Sequence, residues 1–223
     1  MLFGMKKKIM KPNFKLATTK AYETLILNHL PLPIDPYKIK LKNIKIHITS
    51  MQDWSKKYNI PLNLLTQDGL YNEGYNEWHI KNGIVYAIIF YNDEIESKER
   101  KRFTIAHEIG HIVLKHKGVS TINEKEADTF AAQLLLPHCI LEELVKRGKN
   151  ITEAYLTEKF GLSKEAAHIS KMHVGKKMTA GAENEFDDIL LELYKDFINS
   201  ETYNSKYRYY EEDLEMDMIR STW

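Results

Sequence analysis

The sequence predicts an α+β fold, with a small sheet in its first half and mainly helices after it. Residues 44–48 alternate isoleucine with polar side chains, as a half-buried strand does, and residues 84–91 form a strongly apolar run. Asn82-Gly83 separates this run from residues 77–81, and the pair favours a two-residue type I′ turn between antiparallel strands. Beyond residue 97, capping residues alternate with glycine and proline stops, which predicts a series of helices.

The helix boundaries are predicted from residues that cap a helix and residues that stop one. Thr18 or Thr19 begins the first helix, which runs to about Leu30. Asn123 begins the helix that Pro137 ends. Other helices are predicted over 51–58, 98–116, 140–146, 152–160 and 163–174. Near the C-terminus an amphipathic stripe predicts a packing helix, formed by Phe186, Ile189, Leu190, Leu193 and Phe197.

Composition and charge indicate an ordinary globular chain. The 223 residues include 32 Lys and Arg against 31 Asp and Glu, and a net charge of +1 gives no overall attraction for nucleic acid or a membrane. The apolar runs are too short to span a bilayer, and no apolar segment follows the N-terminal lysines as in a secretory signal. Cys139 is the single cysteine, which fits a reducing compartment. We therefore expect a cytoplasmic protein without a membrane partner.

The segment His107-Glu108-Ile109-Gly110-His111 has the HExxH spacing. Histidines four residues apart lie one above the other on a helix face, so both imidazoles can reach one metal ion. Glu108 lies about 100° further around the helix, where it can hold a water on the metal and act as the general base. Imidazole ligands suit zinc, the expected cofactor, although this type of site does not by itself exclude another divalent metal.

A catalytic zinc site needs a third protein ligand, for which the next helix offers Glu124 and Glu126. The two lie about 200° apart on a helix, so at most one faces the ion. Glu124 borders the buried face. Glu126 lies further round the helix, towards solvent, and can bond back to the Asn123 cap amide. We predict Glu124 as the ligand, with Glu126 as the alternative. Asp128 is spaced to accept the free ring N–H of a ligand histidine, with a helix-surface acid as its alternative interpretation.

Two sequence blocks around these residues resemble the ImmA/IrrE family of metallo-endopeptidases. Residues 102–111, RFTIAHEIGH, are similar to the family block RFTxAHExGH, and residues 124–137, EKEADTFAAQLLLP, to ExxA(N/D)xFAxxLLxP. Leu136 stands where methionine is commoner, and a weaker resemblance runs from about Ala17 to Val174. The resemblance implies a zincin-like metallopeptidase core with a small twisted sheet, an active-site helix and a third ligand, matching Glu124, on a following helix. It also implies cleavage of a helix-turn-helix transcriptional repressor, often encoded on a mobile element or in a stress regulon.

The predicted organisation has four parts: a basic N-terminal segment over 1–16, a zincin-like core over 17–137, a helical extension over 138–175, and an amphipathic helix with an acidic tail over 176–223. The extension has the helix, turn and helix order of a helix-turn-helix. Its second helix projects Lys164, His168 and Lys171. Thr157 stands where this motif usually has alanine, and the net charge lends no support. Packing or substrate docking is favoured over DNA reading, and direct nucleic-acid binding is not expected.

The sequence thus predicts a zinc-dependent endopeptidase in which Glu108 takes a proton from the attacking water and later delivers it to the leaving amine. The apolar strand over 84–91 is either a sheet edge to which an extended peptide adds or an interior strand. Arg102 is expected to have a structural or charge-balancing role rather than a catalytic one. Two non-proteolytic alternatives are a DNA-binding regulator with a structural metal and a protein that sequesters a repressor intact. Candidate donors to the oxyanion are Tyr86, Tyr91, His116 and His138.

Overall fold

A computed structural model describes residues 11–67, 69, 71–118, 120–177 and 184–202, and it confirms the α+β class. The strands are β1 (Ile44–Ser50), β2 (Gly74–Lys81) and β3 (Ile84–Tyr91). The helices are α1 (Phe14–Asn28), α2 (Met51–Tyr58), α3 (Leu62–Leu65), α4 (Lys98–Val113), α5 (Thr121–Leu135), α6 (His138–Lys146), α7 (Glu153–Phe160), α8 (Lys164–Lys177) and α9 (Asp187–Leu193). A 3-10 turn covers Pro36–Lys38, and residues 195–202 are again helical.

Several predicted features lie outside the described residues. These are the lysines within residues 1–10, most of the predicted linker over 176–182, and the acidic residues of the tail. Among the helices that are described, none is both long enough and apolar enough to cross a membrane.

The sheet has the strand order β1-β3-β2, with β1 parallel and β2 antiparallel to the central β3. Asn82 and Gly83 have φ angles of 51° and 74°, the two positive values that a type I′ turn requires, so the hairpin prediction is confirmed. The edge position considered for residues 84–91 is wrong, because β1 pairs with the side of β3 that β2 leaves free. An edge position belongs instead to β2, which carries exposed polar side chains at Glu77 and His79.

The two faces of the sheet have different environments. Ala87 and Ile89 of β3 point toward the main core, which α1, α4 and α5 complete. Phe90 points the other way and packs with Met51, Leu65 and other residues of a smaller cluster. Because side chains alternate along a strand, the face that carries Ala87 also carries the β2 residues paired with it, and this is the face that α4 covers.

Three helices, α1, α5 and α6, begin earlier than the sequence predicted, and α6 begins at His138 instead of Ile140. The first helix begins at Phe14, because the side chain of Asn13 accepts a hydrogen bond from the Leu16 N–H and acts as the cap instead of Thr18 or Thr19. In α5 the cap is Ser120 rather than Asn123, and the Ser120 hydroxyl accepts the N–H of Asn123 at 3.1 Å. Asn123 is therefore already helical, and the bond from Glu126 to an Asn123 cap does not form.

The C-terminal helices pack on the main core. Leu190 of α9 is fully buried, and Tyr194 and Ile198 continue its apolar face at intervals of four residues. The packing role predicted for this segment is confirmed, although the exposed Ile189 does not share it. In α8, Lys164, His168 and Lys171, which project from the second helix of the helix-turn-helix-like segment, are exposed, and the ring of His168 contacts the Glu153 carboxylate at 2.9 Å.

Arg102 links α4 by hydrogen bonds to segments that are distant in sequence, which agrees with its expected structural role. Its guanidinium donates hydrogen bonds to the carbonyl oxygens of Ile34 at 2.5 Å, Gly161 at 2.5 Å and Phe160 at 3.3 Å. Two of these acceptors are at the C-terminal end of α7, where carbonyl groups have no partner within the helix. The side chain therefore links the helix that carries the HExxH segment to the helical extension.

Replacing Arg102 by alanine should lower the free energy of unfolding by about 2–3 kcal/mol, because the substitution removes charged donors and leaves part-buried carbonyl groups without partners. Urea denaturation followed by circular dichroism measures this change. A matched variant is Arg100→Ala, which removes an exposed pair with Glu73 and should change stability by less than about 1 kcal/mol. Equal stability of the two variants would show that the linkage to α7 contributes little.

Candidate metal centre

The HExxH segment lies within α4, which begins at Lys98 after the Ser97 cap. The helix turns Ile105, Ala106 and Ile109 into the core, which leaves His107 and His111 together on a neighbouring, more open face. Gly110 allows α5 to approach closely, since a Cβ there would lie only 3.0 Å from a ring carbon of Phe130. This close approach brings the first turns of α5 alongside the two histidines.

Two imidazoles and a carboxylate converge between α4 and α5. The Nε2 atoms of His107 and His111 lie 3.0 Å apart. The Glu124 carboxylate lies 3.2 Å from Nε2 of His107 and 3.5 Å from Nε2 of His111. One ligand atom from each of the three residues lies within 4.8 Å of the other two, which is compatible with a site for a single metal ion. The donor set of two histidines and one glutamate is one that catalytic zinc sites use.

The outer nitrogen of each histidine also has a partner. Nδ1 of His107 lies 2.9 Å from a carboxylate oxygen of Asp128, and Nδ1 of His111 lies 3.0 Å from Nδ1 of His116. With Nδ1 occupied in both rings, Nε2 is the atom that each ring directs toward Glu124. The arrangement suits metal binding, in which one ring nitrogen holds the ion and the other is hydrogen bonded.

The surroundings change the pKa of both histidines. Burial lowers the pKa of His111 to about 3, and the neighbouring rings of His107 and His116 act in the same direction. Burial also disfavours the charged form of His107, but the hydrogen bond to Asp128 and the nearby carboxylates outweigh it, so the pKa of His107 is raised. His111 is therefore neutral with a lone pair available, whereas a cation competes with a proton at His107.

Glu108 lies beside the cluster but is directed to the sheet. It is only 7% exposed, and one carboxylate oxygen accepts a hydrogen bond from the Asn76 side-chain amide at 2.6 Å. Burial raises the pKa of Glu108, and the Asn76 hydrogen bond partly opposes this by stabilising the carboxylate. A buried carboxylate with a raised pKa, held next to two imidazoles, is suited to accept and return a proton.

Sequence reasoning missed Asn76. The predicted strand began at residue 77, whereas β2 begins at Gly74. In the observed register Asn76 pairs with Ile89, so its side chain is on the face that α4 covers. An alternating pattern extended back to Gly74 would have placed Asn76 on that face, although the pattern carries no information on its contact with Glu108.

Glu126, the alternative metal ligand, is not part of the three-residue cluster. Its Oε1 atom accepts the main-chain N–H of Asn13 at 2.6 Å, and its Oε2 atom lies 3.0 Å from Nε2 of His116. Glu126 therefore contacts the site through His116 rather than through the cluster itself. Its predicted position towards solvent is wrong, because these contacts leave its side chain only 14% exposed.

The four candidate oxyanion donors occupy different places. Tyr86 lies on the sheet face opposite α4 and stacks on His79 with ring centroids 5.4 Å apart. Tyr91 packs edge-to-face against Tyr37, and His138 contacts Gln133 at 2.7 Å. His116 reaches the cluster, but on the outer side of the His111 ring.

Comparison with known protein families gives one informative match. The family model described as IrrE N-terminal-like domain, peptidase M78, matches residues 43–170, which is more than half of the 223-residue chain. The matched range begins just before β1, contains α4 and α5, and ends within α8. A comparison with curated proteins gave no match.

Proposed function

This chain belongs to the peptidase M78 family of IrrE N-terminal-like domains, and we propose that it is a zinc-dependent endopeptidase. The family supports a metallopeptidase role in general. The observation that carries the specific proposal is the convergence of His107, His111 and Glu124, with the buried carboxylate of Glu108 beside them. The proposal assigns the first three residues to the metal and Glu108 to proton transfer.

The chemistry divides between the ion and the chain. A divalent ion held by the three ligands supplies a Lewis acid for a water molecule and the scissile carbonyl. Glu108 accepts a proton from the attacking water as the new carbon–oxygen bond forms. The same carboxyl group then gives the proton to the amine nitrogen as the carbon–nitrogen bond breaks. Asn76 holds the Glu108 carboxylate by a hydrogen bond from β2.

The edge strand β2 supports a role for an extended polypeptide as substrate. It pairs with β3 on one side and carries Asn76, so its other side runs past the residue that holds Glu108. An extended peptide can add to a strand edge through main-chain hydrogen bonds, which recognise the backbone whatever the side chains are. The proposed substrate therefore binds with its scissile bond near Glu108.

The substrate is proposed to be a helix-turn-helix transcriptional repressor. The support for this class is the resemblance carried by the blocks at 102–111 and 124–137. The exposed face of α8, which includes Ile169 and Met172, offers a surface on which such a substrate could dock.

The testing experiment uses the helix-turn-helix repressor encoded nearest to this gene. The zinc-loaded protein should convert it to two fragments whose masses add up to the repressor plus one water, as mass spectrometry measures. Removing the metal with a chelator should stop the reaction, and adding back one equivalent of zinc should restore it. If the loaded protein binds the repressor and leaves it intact, the sequestration alternative is favoured over proteolysis.

A further inference from the structure

We infer that His116 and Glu126 form a positioning pair that fixes the ring of His111 as a metal ligand. Neither residue belongs to the three-residue cluster, yet both are connected to it through hydrogen bonds. The inference rests on the proposed function, since it takes His111 as a ligand.

The main chain places His116 directly against His111. After α4 ends, Lys115 adopts the left-handed conformation with φ of 57°, and the His116 N–H donates to the His111 carbonyl at 3.0 Å. The Lys115 N–H donates to the Ile112 carbonyl at 3.2 Å, which completes a Schellman motif. This end of the helix brings residue 116 back over residue 111, so the two rings meet with centroids 5.0 Å apart.

The directions of the hydrogen bonds follow from the acceptor at the far end. Glu126 is an acceptor on both oxygens, because Oε1 takes the N–H of Asn13 and Oε2 faces Nε2 of His116. A neutral His116 imidazole therefore carries its proton on Nε2 and leaves Nδ1 bare. Nδ1 of His111, 3.0 Å away, must then carry the proton that it donates to His116. The remaining nitrogen of His111, Nε2, keeps its lone pair and faces Glu124.

The two ligand histidines differ in how well their outer partners are shielded from water. The side chain of His116 is 7% exposed and that of Glu126 is 14% exposed. Asp128, the partner of His107, is 57% exposed. Water can take the place of Asp128 when that side chain is removed, but it has little access to the position of His116. Removing His116, the partner of His111, should therefore weaken metal binding more than removing Asp128, the partner of His107.

The test measures zinc affinity by competition with a chromogenic chelator in the full-length protein. His116→Phe keeps an aromatic ring at this position but removes the Nδ1 acceptor. It should weaken zinc binding by about 10–100-fold, the usual effect of losing the hydrogen-bond partner of a metal ligand. Asp128→Ala should have a smaller effect. His79→Phe is the matched control, because His79 stacks on Tyr86 on the opposite sheet face and should leave the affinity unchanged.

A spectroscopic measurement separates positioning from a purely structural role. In the zinc-loaded wild type, nitrogen NMR of labelled histidines should show His116 protonated at Nε2 and bare at Nδ1. Glu126→Ala removes the acceptor without touching the His116 ring, so it should change this tautomer and weaken zinc binding in the same direction. It also provides the affinity test if His116→Phe does not fold.

Three results would overturn the inference. They are zinc binding by His116→Phe as tight as that by His79→Phe, a proton on Nδ1 of His116 in the wild type, and an unchanged affinity and tautomer in Glu126→Ala. If the wild-type protein binds zinc and cleaves its substrate, any one of these results rejects the positioning pair but leaves the proposed function intact. Failure of the wild type to bind zinc rejects the proposed function together with it.

Discussion

Glutamine in place of Glu108 should leave zinc bound but lower the cleavage rate by about 10²–10⁴-fold, the usual contribution of a general base. The amide has the size of the carboxylate and retains an oxygen that can accept the hydrogen bond from Asn76. It cannot accept a proton from water at neutral pH. Single-turnover cleavage of the repressor measures the rate, and elemental mass spectrometry measures the zinc.

The matched control for this prediction is Glu99→Gln in the same helix. Glu99 lies in the first turn of α4, where its carboxylate accepts the Ser97 hydroxyl hydrogen bond at 2.8 Å. This variant should retain both zinc and the wild-type rate. If Glu108→Gln cleaves as fast as Glu99→Gln, Glu108 is not the base. If it loses its zinc, Glu108 supports the metal site instead.

The features that sequence predicted well depend on residues close together in the chain. The hairpin follows from the positive φ angles that Asn82 and Gly83 accept. The meeting of His107 and His111 follows from helical geometry alone, because residues four apart share a face. In both cases the energetics of one turn determine the arrangement, whatever the rest of the chain does.

Features that depend on distant partners were missed. Asn76 meets Glu108 across 32 residues, and Asn13 meets Glu126 across 113, distances over which no local pattern carries information. The central position of β3 required knowing that β1 pairs with it in parallel, across the intervening helices α2 and α3.

The helix starts were missed for a different reason. Ser120 and Asn123 are both good capping residues, and the helix begins at the earlier of the two, Ser120. Because α5 begins three residues earlier than predicted, after Ser120, the bond proposed between Glu126 and the Asn123 cap does not form. This leaves Glu126 available for His116 and for the start of α1. An error of a few residues in a helix boundary thus changed the interpretation of the half-buried Glu126, while Glu124 kept its place beside the histidines.

Alanine in place of Glu124 should weaken zinc binding by more than about 100-fold, the upper end of the range for loss of an outer partner. Glu124 offers one of the three candidate ligand atoms, and the two imidazoles that remain would leave a bound ion more coordination positions to fill with water. Chelator competition measures the affinity. Because the Glu124 side chain is 41% exposed, the metal-free variant should have an unfolding temperature close to that of the metal-free wild type.

Glu126→Ala is the comparison that decides between the two acids of α5. Both variants remove one carboxylate from the same helix. Glu126 contacts the three-residue cluster only through His116, so its loss should lower the zinc affinity less than the loss of Glu124. The opposite order would identify Glu126 as the ligand and require α5 to rotate by about 200° when the metal binds. Such a rotation would turn the buried Ala127, Phe130 and Ala131 out of the core, which is why we expect Glu124 to dominate.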